Sequence, residues 1–389
     1  MLDVGSWIAA PVAATLLADL GAQVIKIELP GMGDGYRKFS DTLGAADAPL
    51  NYAWQMDARN KRSLALNLND ARGLDILHTL IKEADVYVTN FTPRLRDRWG
   101  LNYEQVRELN PAIIYASLTA YGEEGPEKDR EAFDLVAYWS RSGLMDLVRA
   151  PGADPSPALP GMGDHPTAVS LYASIVTALL RRERTGKGSF VHTSLLANGI
   201  WSASCIAQAA HAQGEFGRYR EDHKNLFTRV LYEAADGRWL QFTMVRTEQE
   251  LDALFAVLGA PELMIDERFA TFEGKFAHGY ELSQLMRPIL ATRDSADWIS
   301  DFHAAGVPVA LVGQVEDLPN DPQVQINNMF VDPGDTGLDK LLKHPVNVEG
   351  MPRVAPAKAP DLGEHSDEIL GELGFEADAI QVLRDEGVI

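Results

Sequence analysis

A single cysteine, Cys205, stands in 389 residues, which excludes an internal disulfide framework and fits a reducing cytoplasm. Its apolar surroundings, from Trp201 to Ala210, predict a buried structural thiol. No apolar run reaches the length of a membrane span, and no secretory pattern opens the chain. Positive charge is also scarce: 35 Lys and Arg against 56 Asp and Glu leave a formal net charge of −21. That field repels nucleic acid and anionic membranes, so neither is expected as a partner. It repels phosphorylated ligands too, and binding one requires cations gathered locally. The 9 histidines are scattered, with no HExxH and no CxxC, so no metal site is expected. The first strand–helix turn, Val4 to Pro11, lacks the GxGxxG that a dinucleotide needs. Gly31-Met32-Gly33-Asp34-Gly35 is glycine-rich but follows the second strand and opens no helix, which argues against an NAD site.

What the chain does have is the composition of a globular enzyme, 46% apolar and 23% charged, at a length that predicts two domains. Short strands are expected at Leu2-Asp3-Val4, Val24 to Glu28, Val86 to Thr89, Ile113 to Ser117 and Phe190 to Thr193. Helical periodicity separates them at Pro11 to Leu20, Gly73 to Ala84, Gln105 to Leu109 and Thr167 to Leu180. Strands alternating with helices predict an α/β fold, with a parallel Rossmann-like sheet whose ligands sit at the carboxyl ends of the strands. A polar stretch, Gly214 to His223, reads as a linker, and Tyr232 to Met244 carries a hairpin turn at Asp236-Gly237. Helices follow at Glu248 to Leu258, Leu282 to Leu290 and Asp297 to Ala305, then a strand at Val307 to Val312. The expected organisation is a large domain over 1–200 completed by 345–389, a linker at 201–224, a small α+β domain over 225–325, and a return linker at 326–344.

The most informative stretch is Gly161-Met162-Gly163-Asp164-His165-Pro166, running into the apolar helix. Glycines allow a tight turn and close ligand approach, and proline suits a first helical turn. A carboxylate there meets the positive end of the helix dipole, which predicts an ionised Asp164. On spacing alone, the reading of Asp164 as only an N-cap is the favoured one.

The ordered phrases of this chain resemble the class III CoA-transferases. They are Leu2-Asp3 with Ala10-Pro11, Leu16 to Glu28 (LLADLGAQVIKIE), Asn60 to Leu64 (NKRSL) and Val88 to Gly100 (VTNFTPRLRDRWG). Phe133 to Ala137, Gly163-Asp164, Leu179 to Gly188 (LLRRERTGKG), Asp321 to Val324 and the closing Glu386 to Ile389 continue the series. Relatives usually carry some residues before the first strand, so the chain reads as short at its amino end.

The resemblance implies that Asp164 is the catalytic nucleophile and that covalent aspartyl intermediates carry the transfer. Coenzyme A enters as part of the substrate, with no resident cofactor, and the partners implied are an acyl-CoA, a carboxylic acid and a second copy in an interlocked homodimer. CoA-binding positions that carry over are Ile8, Ala9, Leu66, Asn67, Asn69, Asn90, Phe91, Arg98 and Asp134, with Arg98 meeting a phosphate. Departures from the formyl-CoA transferase branch are Ile8 for a glutamine, Leu29 for an arginine, Asn69 and Glu131 for lysines, and no glycine run in His223 to Tyr232. Lys61, Arg62, Arg94, Arg96 and Arg98 are candidates for the local positive field, and His223 and Lys224 for the pocket wall. Arg37, Lys38, Arg141 and His165 are candidates to meet a second substrate carboxylate, which would suit short dicarboxylic acids. The alternative on the same fold is a 2-methylacyl-CoA racemase, whose chemistry needs two acid/base groups about the α-carbon. That branch has a histidine where this chain has Phe133.

Overall fold

A computed structural model describes residues 1–41, 46–216, 221, 227–243 and 245–389. His223 and Lys224 lie outside the described residues. The chain divides into two compact units, Met1–Asp146 with Ser156–Ala207 and Asn327–Ile389, and Leu147–Pro155 with Gln208–Ile326.

The first unit is built on a six-stranded sheet, β1 (Leu2–Val4), β2 (Ile25–Glu28), β3 (Arg62–Ala65), β4 (Val86–Thr89), β5 (Ile114–Thr119) and β6 (Ser189–Ser194). Its order is β3-β2-β1-β4-β5-β6 and every neighbouring pair is parallel. The expected α/β fold with a Rossmann-like sheet is what the chain adopts. Parallel strands need helical crossovers that cover both faces, so central strands are buried on both sides. Accordingly β4 (VYVT) and β5 (IYASLT) are buried at every position. Tyr87 and Tyr115 stack at 5.0 Å inside the core, with Leu64, Leu77 and Ile81 around them. Ile369, Leu370, Leu383 and Val388 join the same core, so the end of the chain is part of this unit.

The alanine-rich helix α1 (Ala9–Ala18) packs against the long helix Asp164–Thr185. Helix α2 spans Tyr52–Ala58. Helix α3 (Ala71–Glu83) begins where the Asp70 carboxylate accepts from the Arg72 N–H at 2.9 Å, and it buries Ile76, Leu77, Leu80 and Ile81 along one face. Helix α4 (Pro93–Trp99) opens on proline and closes on Gly100, whose φ of 67° is the left-handed stop that glycine permits.

Charges are also buried beneath the β1–α1 turn. Lys26 lies 2.8 Å from Asp34 and donates to the Gly5 carbonyl at 3.0 Å, while Lys61 reaches Asp3 at 2.9 Å. Burial alone would lower the Lys26 pKa, but the charges of Asp3, Asp34 and Glu28 outweigh it and raise it.

The second unit holds a three-stranded antiparallel sheet, β7 (Leu231–Glu233), β8 (Trp239–Phe242) and β9 (Val309–Leu311), in that order. Gly237, at φ 75°, makes the hairpin turn. Phe227, Phe242, Phe255, Phe269, Trp298 and Phe302 fill its core. The helix Glu248–Val257 starts with a capping box between Thr247 and Glu250.

Three details differ from the sequence expectations. Segment 326–344 is not a bare linker: Phe330–Val331 and Leu341–Leu342 pair antiparallel within the first unit. Segment 201–224 contains the helix Ser204–His211. That helix buries none of its residues, so Cys205 is exposed rather than buried. Among the described residues, no helix is long and apolar enough to cross a membrane.

Candidate active site

Strand order reverses between β1 and β4, where the chains leaving the two strands diverge and leave a crevice. A cavity of about 510 Å³ opens there. Ser6 to Ala9 line it after β1, Asn90 to Thr92 after β4, Leu118 to Ala120 at the end of β5, and Leu195 after β6. Lys128 and Arg130 to Phe133 complete the wall, and Asp164 reaches it from the first residue of the long helix.

Local geometry fixes that aspartate. Gly161 has φ 86°, a conformation that favours glycine, and a Cβ on Gly163 would come within 2.6 Å of the Tyr138 ring. The Gly163 N–H donates to the Asp134 carboxylate at 2.9 Å, so Asp134 ties down the residue before the nucleophile candidate. Tyr138 lies on a π-helical turn, Leu135–Ser140, directly after Asp134. Gly163, not Asp164, occupies the N-cap, and among the described residues no group donates a hydrogen bond to the Asp164 side chain. The N-cap reading is therefore set aside.

The expectation of an ionised Asp164 is reversed. Burial, and next the charge of Asp134, push its carboxyl up to about 8, while His165 pulls the other way. A helix dipole contributes about 0.3–1 kcal/mol, less than the roughly 1.4 kcal/mol of one pKa unit. Desolvation of a carboxylate outweighs it.

His165 is half-buried and engaged on both ring nitrogens. Nδ1 faces the Gly161 carbonyl at 2.9 Å and Nε2 faces the Asp57 carboxylate at 3.1 Å. The Tyr36 hydroxyl donates to the other Asp57 oxygen at 2.7 Å.

The β1–α1 turn is held as firmly. Asn90 grips the Ser6 backbone twice, accepting from its N–H at 2.9 Å and donating to its carbonyl at 2.7 Å. One Asp34 oxygen accepts from the Ser6 hydroxyl at 2.8 Å and from the Trp7 and Tyr36 N–H groups, each at 2.9 Å. These bonds hold Trp7 at φ 67°, a strained conformation for a bulky residue, with its ring edge-on to Phe133 at 4.9 Å.

Of the sequence candidates, the cavity gathers Asp164, Ile8, Ala9, Asn90 and Phe91. Phe91 also borders a second cavity of about 200 Å³ with Leu66, Asn69, Leu29 and Trp99. There the Asn69 side-chain Oδ1 accepts from the Trp99 indole N–H at 3.2 Å. Asn67 borders neither cavity and accepts from the Asn69 N–H at 3.0 Å. Arg98 is exposed, borders neither, and has no ion pair among the described residues.

The expected basic cluster disperses. Lys61 is buried on Asp3, Arg62 pairs with Glu368 and Glu372, and Arg96 pairs with Glu123, leaving Arg94 and Arg98 exposed. Arg37 is held by Glu28 through two bonds of 2.7 Å and lies over Trp54, and Arg141 pairs with Glu127 at 3.0 Å. The cavity's own cations are Lys128 and Arg130, which the sequence reading missed because nothing local marks a loop as bordering a crevice. Asp57 and Tyr36 were missed for the same reason, since their partner lies 108 residues from Asp57 in sequence. Among the described residues no cluster of His, Cys, Asp and Glu is suited to a metal ion.

Comparison with known proteins places this geometry. The chain is 31% identical to the (R)-2-hydroxy-4-methylpentanoate CoA-transferase of Clostridioides difficile over 396 residues, covering 100% of this chain and 98% of that protein. It is 31% identical to the succinyl-CoA:glutarate CoA-transferase of Mus musculus, covering 100% and 89%. The crystal structure of a CAIB/BAIF family protein from Brucella suis superposes with a TM-score of 0.84 at 27% identity, over 96% of this chain and 97% of that one. A family model described as CoA-transferase family III matches residues 1–366. With the sheet, the crevice and the whole-length relatives in agreement, the chain belongs to CoA-transferase family III and is a transferase.

Proposed function

We propose that this enzyme moves CoA from an acyl-CoA to a carboxylic acid, with Asp164 as the nucleophile. The observation that carries the reading is one carboxylate, presented by a helix start into the switch-point crevice and free of hydrogen bonds from described residues. A carboxyl group that accepts no hydrogen bond from its own helix start keeps its lone pairs for attack on a carbonyl once it is ionised.

An Asp164 oxygen attacks the donor thioester carbonyl, and the tetrahedral intermediate expels CoA thiolate, leaving an acyl-aspartyl anhydride. The thiolate attacks the aspartyl carbonyl, releases the donor acid as its carboxylate, and leaves an aspartyl-CoA thioester. The acceptor carboxylate attacks that thioester, forming a second anhydride and expelling the thiolate again. The thiolate then attacks the acceptor carbonyl, giving the new acyl-CoA and restoring Asp164. Each step trades one activated acyl group for another, so no external energy source is needed.

CoA contacts follow from the lining residues. Ile8, Ala9, Asn90 and Phe91 form the crevice floor, Leu66 and Asn69 border the neighbouring cavity, and Lys128 and Arg130 supply cations for phosphate. Arg98, exposed outside both cavities and with no ion pair among the described residues, is the family resemblance's candidate for a further phosphate contact. Asp134 acts through Gly163 rather than on the ligand. The glutarate specificity of one relative supports a short dicarboxylic acid among the substrates, and the 2-hydroxy acid of another supports a branched monocarboxylic acid. The lone cysteine supports a cytoplasmic setting, and the family resemblance supports an interlocked homodimer. The racemase reading is disfavoured because Phe133 cannot move a proton and both His165 nitrogens are engaged by Gly161 and Asp57, neither of which lines the crevice.

The test is Asp164→Ala, assayed by mass spectrometry with succinyl-CoA and a panel of carboxylic acids. Transfer is expected to vanish, CoA binding to persist, and hydroxylamine after incubation with donor to convert residue 164 to its hydroxamate in the unsubstituted enzyme. Full transfer by Asp164→Ala would refute the assignment.

A further inference from the structure

The first turn of the Asp164 helix carries a second ionisable group that the transfer mechanism leaves unused. His165 presents Nδ1 to the Gly161 carbonyl at 2.9 Å and Nε2 to the Asp57 carboxylate at 3.1 Å. Both partners accept hydrogen bonds, and a carbonyl can do nothing else. A neutral imidazole has one N–H and one lone pair, so either tautomer would point a lone pair at an oxygen. With Asp57 ionised, only the doubly protonated ring satisfies both contacts.

The surroundings keep it so. Asp57 is buried, and its second oxygen accepts from the Tyr36 hydroxyl at 2.7 Å, which leaves the first free to receive the imidazolium proton. Burial and the Asp57 charge hold the Tyr36 phenol protonated, so it remains the donor. Burial alone would lower the His165 pKa, but the Asp57 charge and hydrogen bond, the Gly161 carbonyl and the Asp164 charge together raise it to about 9.

We propose that His165, locked as an imidazolium between Gly161 and the Asp57–Tyr36 pair, is the built-in countercharge that sets how readily Asp164 ionises. This rests on the reading of Asp164 as the nucleophile. His165 touches no substrate in this account and is a positioning residue, acting through the carboxylate beside it.

The groups facing Asp164 form a balance. Asp134, behind Gly163, and Asp57, on α2, disfavour its charge, while His165 favours it. Lys128, Arg130 and Glu131 share the crevice wall with it. An opposite charge at close range moves a carboxyl pKa by about 1–3 units. Loss of the imidazolium should therefore raise Asp164 by that amount and cut the ionised fraction at neutral pH about 10-fold or more.

The experiment is a pH titration of whole enzyme labelled with carboxyl-13C aspartate, the Asp164 signal being the one missing from Asp164→Asn. His165→Gln should move that titration upward by about 1–3 units, and His165→Lys, which restores the charge on a different shape, should bring it back. If Gln and Lys both titrate like the unsubstituted enzyme, or like each other, the countercharge is refuted even though Asp164→Ala still abolishes transfer. If Asp164→Ala retains transfer, the nucleophile assignment fails while the titration still reads the coupling. Should the position-165 variants not fold, 15N-labelled histidine decides. One of the 9 imidazoles is expected doubly protonated at pH 7.5 and neutral in Asp57→Asn, and no such ring in the unsubstituted enzyme would overturn the proposal.

Discussion

Gly163→Ala is the smallest change that should uncouple the fold from the chemistry. A Cβ at that position would stand 2.6 Å from Tyr138 Cγ, 2.8 Å from its Cβ and 2.9 Å from its Cδ1. The backbone is not the obstacle, because φ at Gly163 is −98°, which any residue adopts. Tyr138 cannot simply retreat: it is buried, it sits on the π-helical turn after Asp134, and its hydroxyl contacts Ser202 at 2.5 Å. One side must shift by roughly 1 Å to restore ordinary contact, and the side that carries Asp164 is the next residue along. Overpacking of this kind costs about 1–3 kcal/mol, and misplacing a reacting group by about 1 Å costs about 100-fold in rate. The informative comparison is Gly161→Ala, where the added Cβ has ordinary contacts of 3.5 Å but the φ of 86° penalises any side chain, at about 1–2 kcal/mol. Thermal unfolding should report similar losses for both variants. Initial rates of CoA transfer, compared at saturating substrate, should fall much further for Gly163→Ala. A Gly163→Ala enzyme with unaltered melting and unaltered turnover would refute the steric reasoning.

Other outcomes follow from the same contacts. Asn90→Ala removes both bonds to Ser6, and each backbone group left unsatisfied costs about 1–3 kcal/mol; calorimetry should register weaker CoA binding, and Asn90→Asp, which can accept but not donate, should fall between. Lys26→Met leaves the buried Asp34 without its countercharge, while Asp3 keeps Lys61, and should cost about 3–5 kcal/mol in a denaturant titration. Asp164 binds more protons folded than unfolded between its ordinary value of 3.8 and about 8, so it weakens the fold as pH rises through that window. Asp164→Asn should therefore melt higher than the unsubstituted chain at pH 8, by the equivalent of at least about 1.4 kcal/mol, with the gap closing toward pH 4.

Much of the sheet was legible from residues alone. The apolar runs of β1, β2, β4 and β5 and the turn at Asp236-Gly237 announce themselves locally, and the helix following Asp164 does so through its length. Strand β3 did not: Arg62-Ser63-Leu64-Ala65 begins with a charge and a hydroxyl, and it is a strand only because β2 offers it a hydrogen-bonding edge. The pair Phe330–Val331 and Leu341–Leu342 is too short to leave a periodic signal. At the site, the glycines and helix start single out Asp164, which the structure sets on the cavity wall, but they predict an ionised carboxylate where burial and Asp134 push the carboxyl up. The helix dipole is visible in sequence, whereas the burial and the neighbouring Asp134 that oppose it are not. Counting basic residues between Lys61 and Arg98 likewise gave no warning that Asp3, Glu123, Glu368 and Glu372 neutralise most of them.

The surface position of Cys205 has a practical consequence. With one sulfhydryl per chain, and that one accessible, maleimide chemistry can attach a single fluorophore or spin label at a known address without any engineering. Air oxidation of the same atom has no intrachain route, so any dithiothreitol-sensitive band at twice the subunit mass on a denaturing gel reports chains joined to each other there.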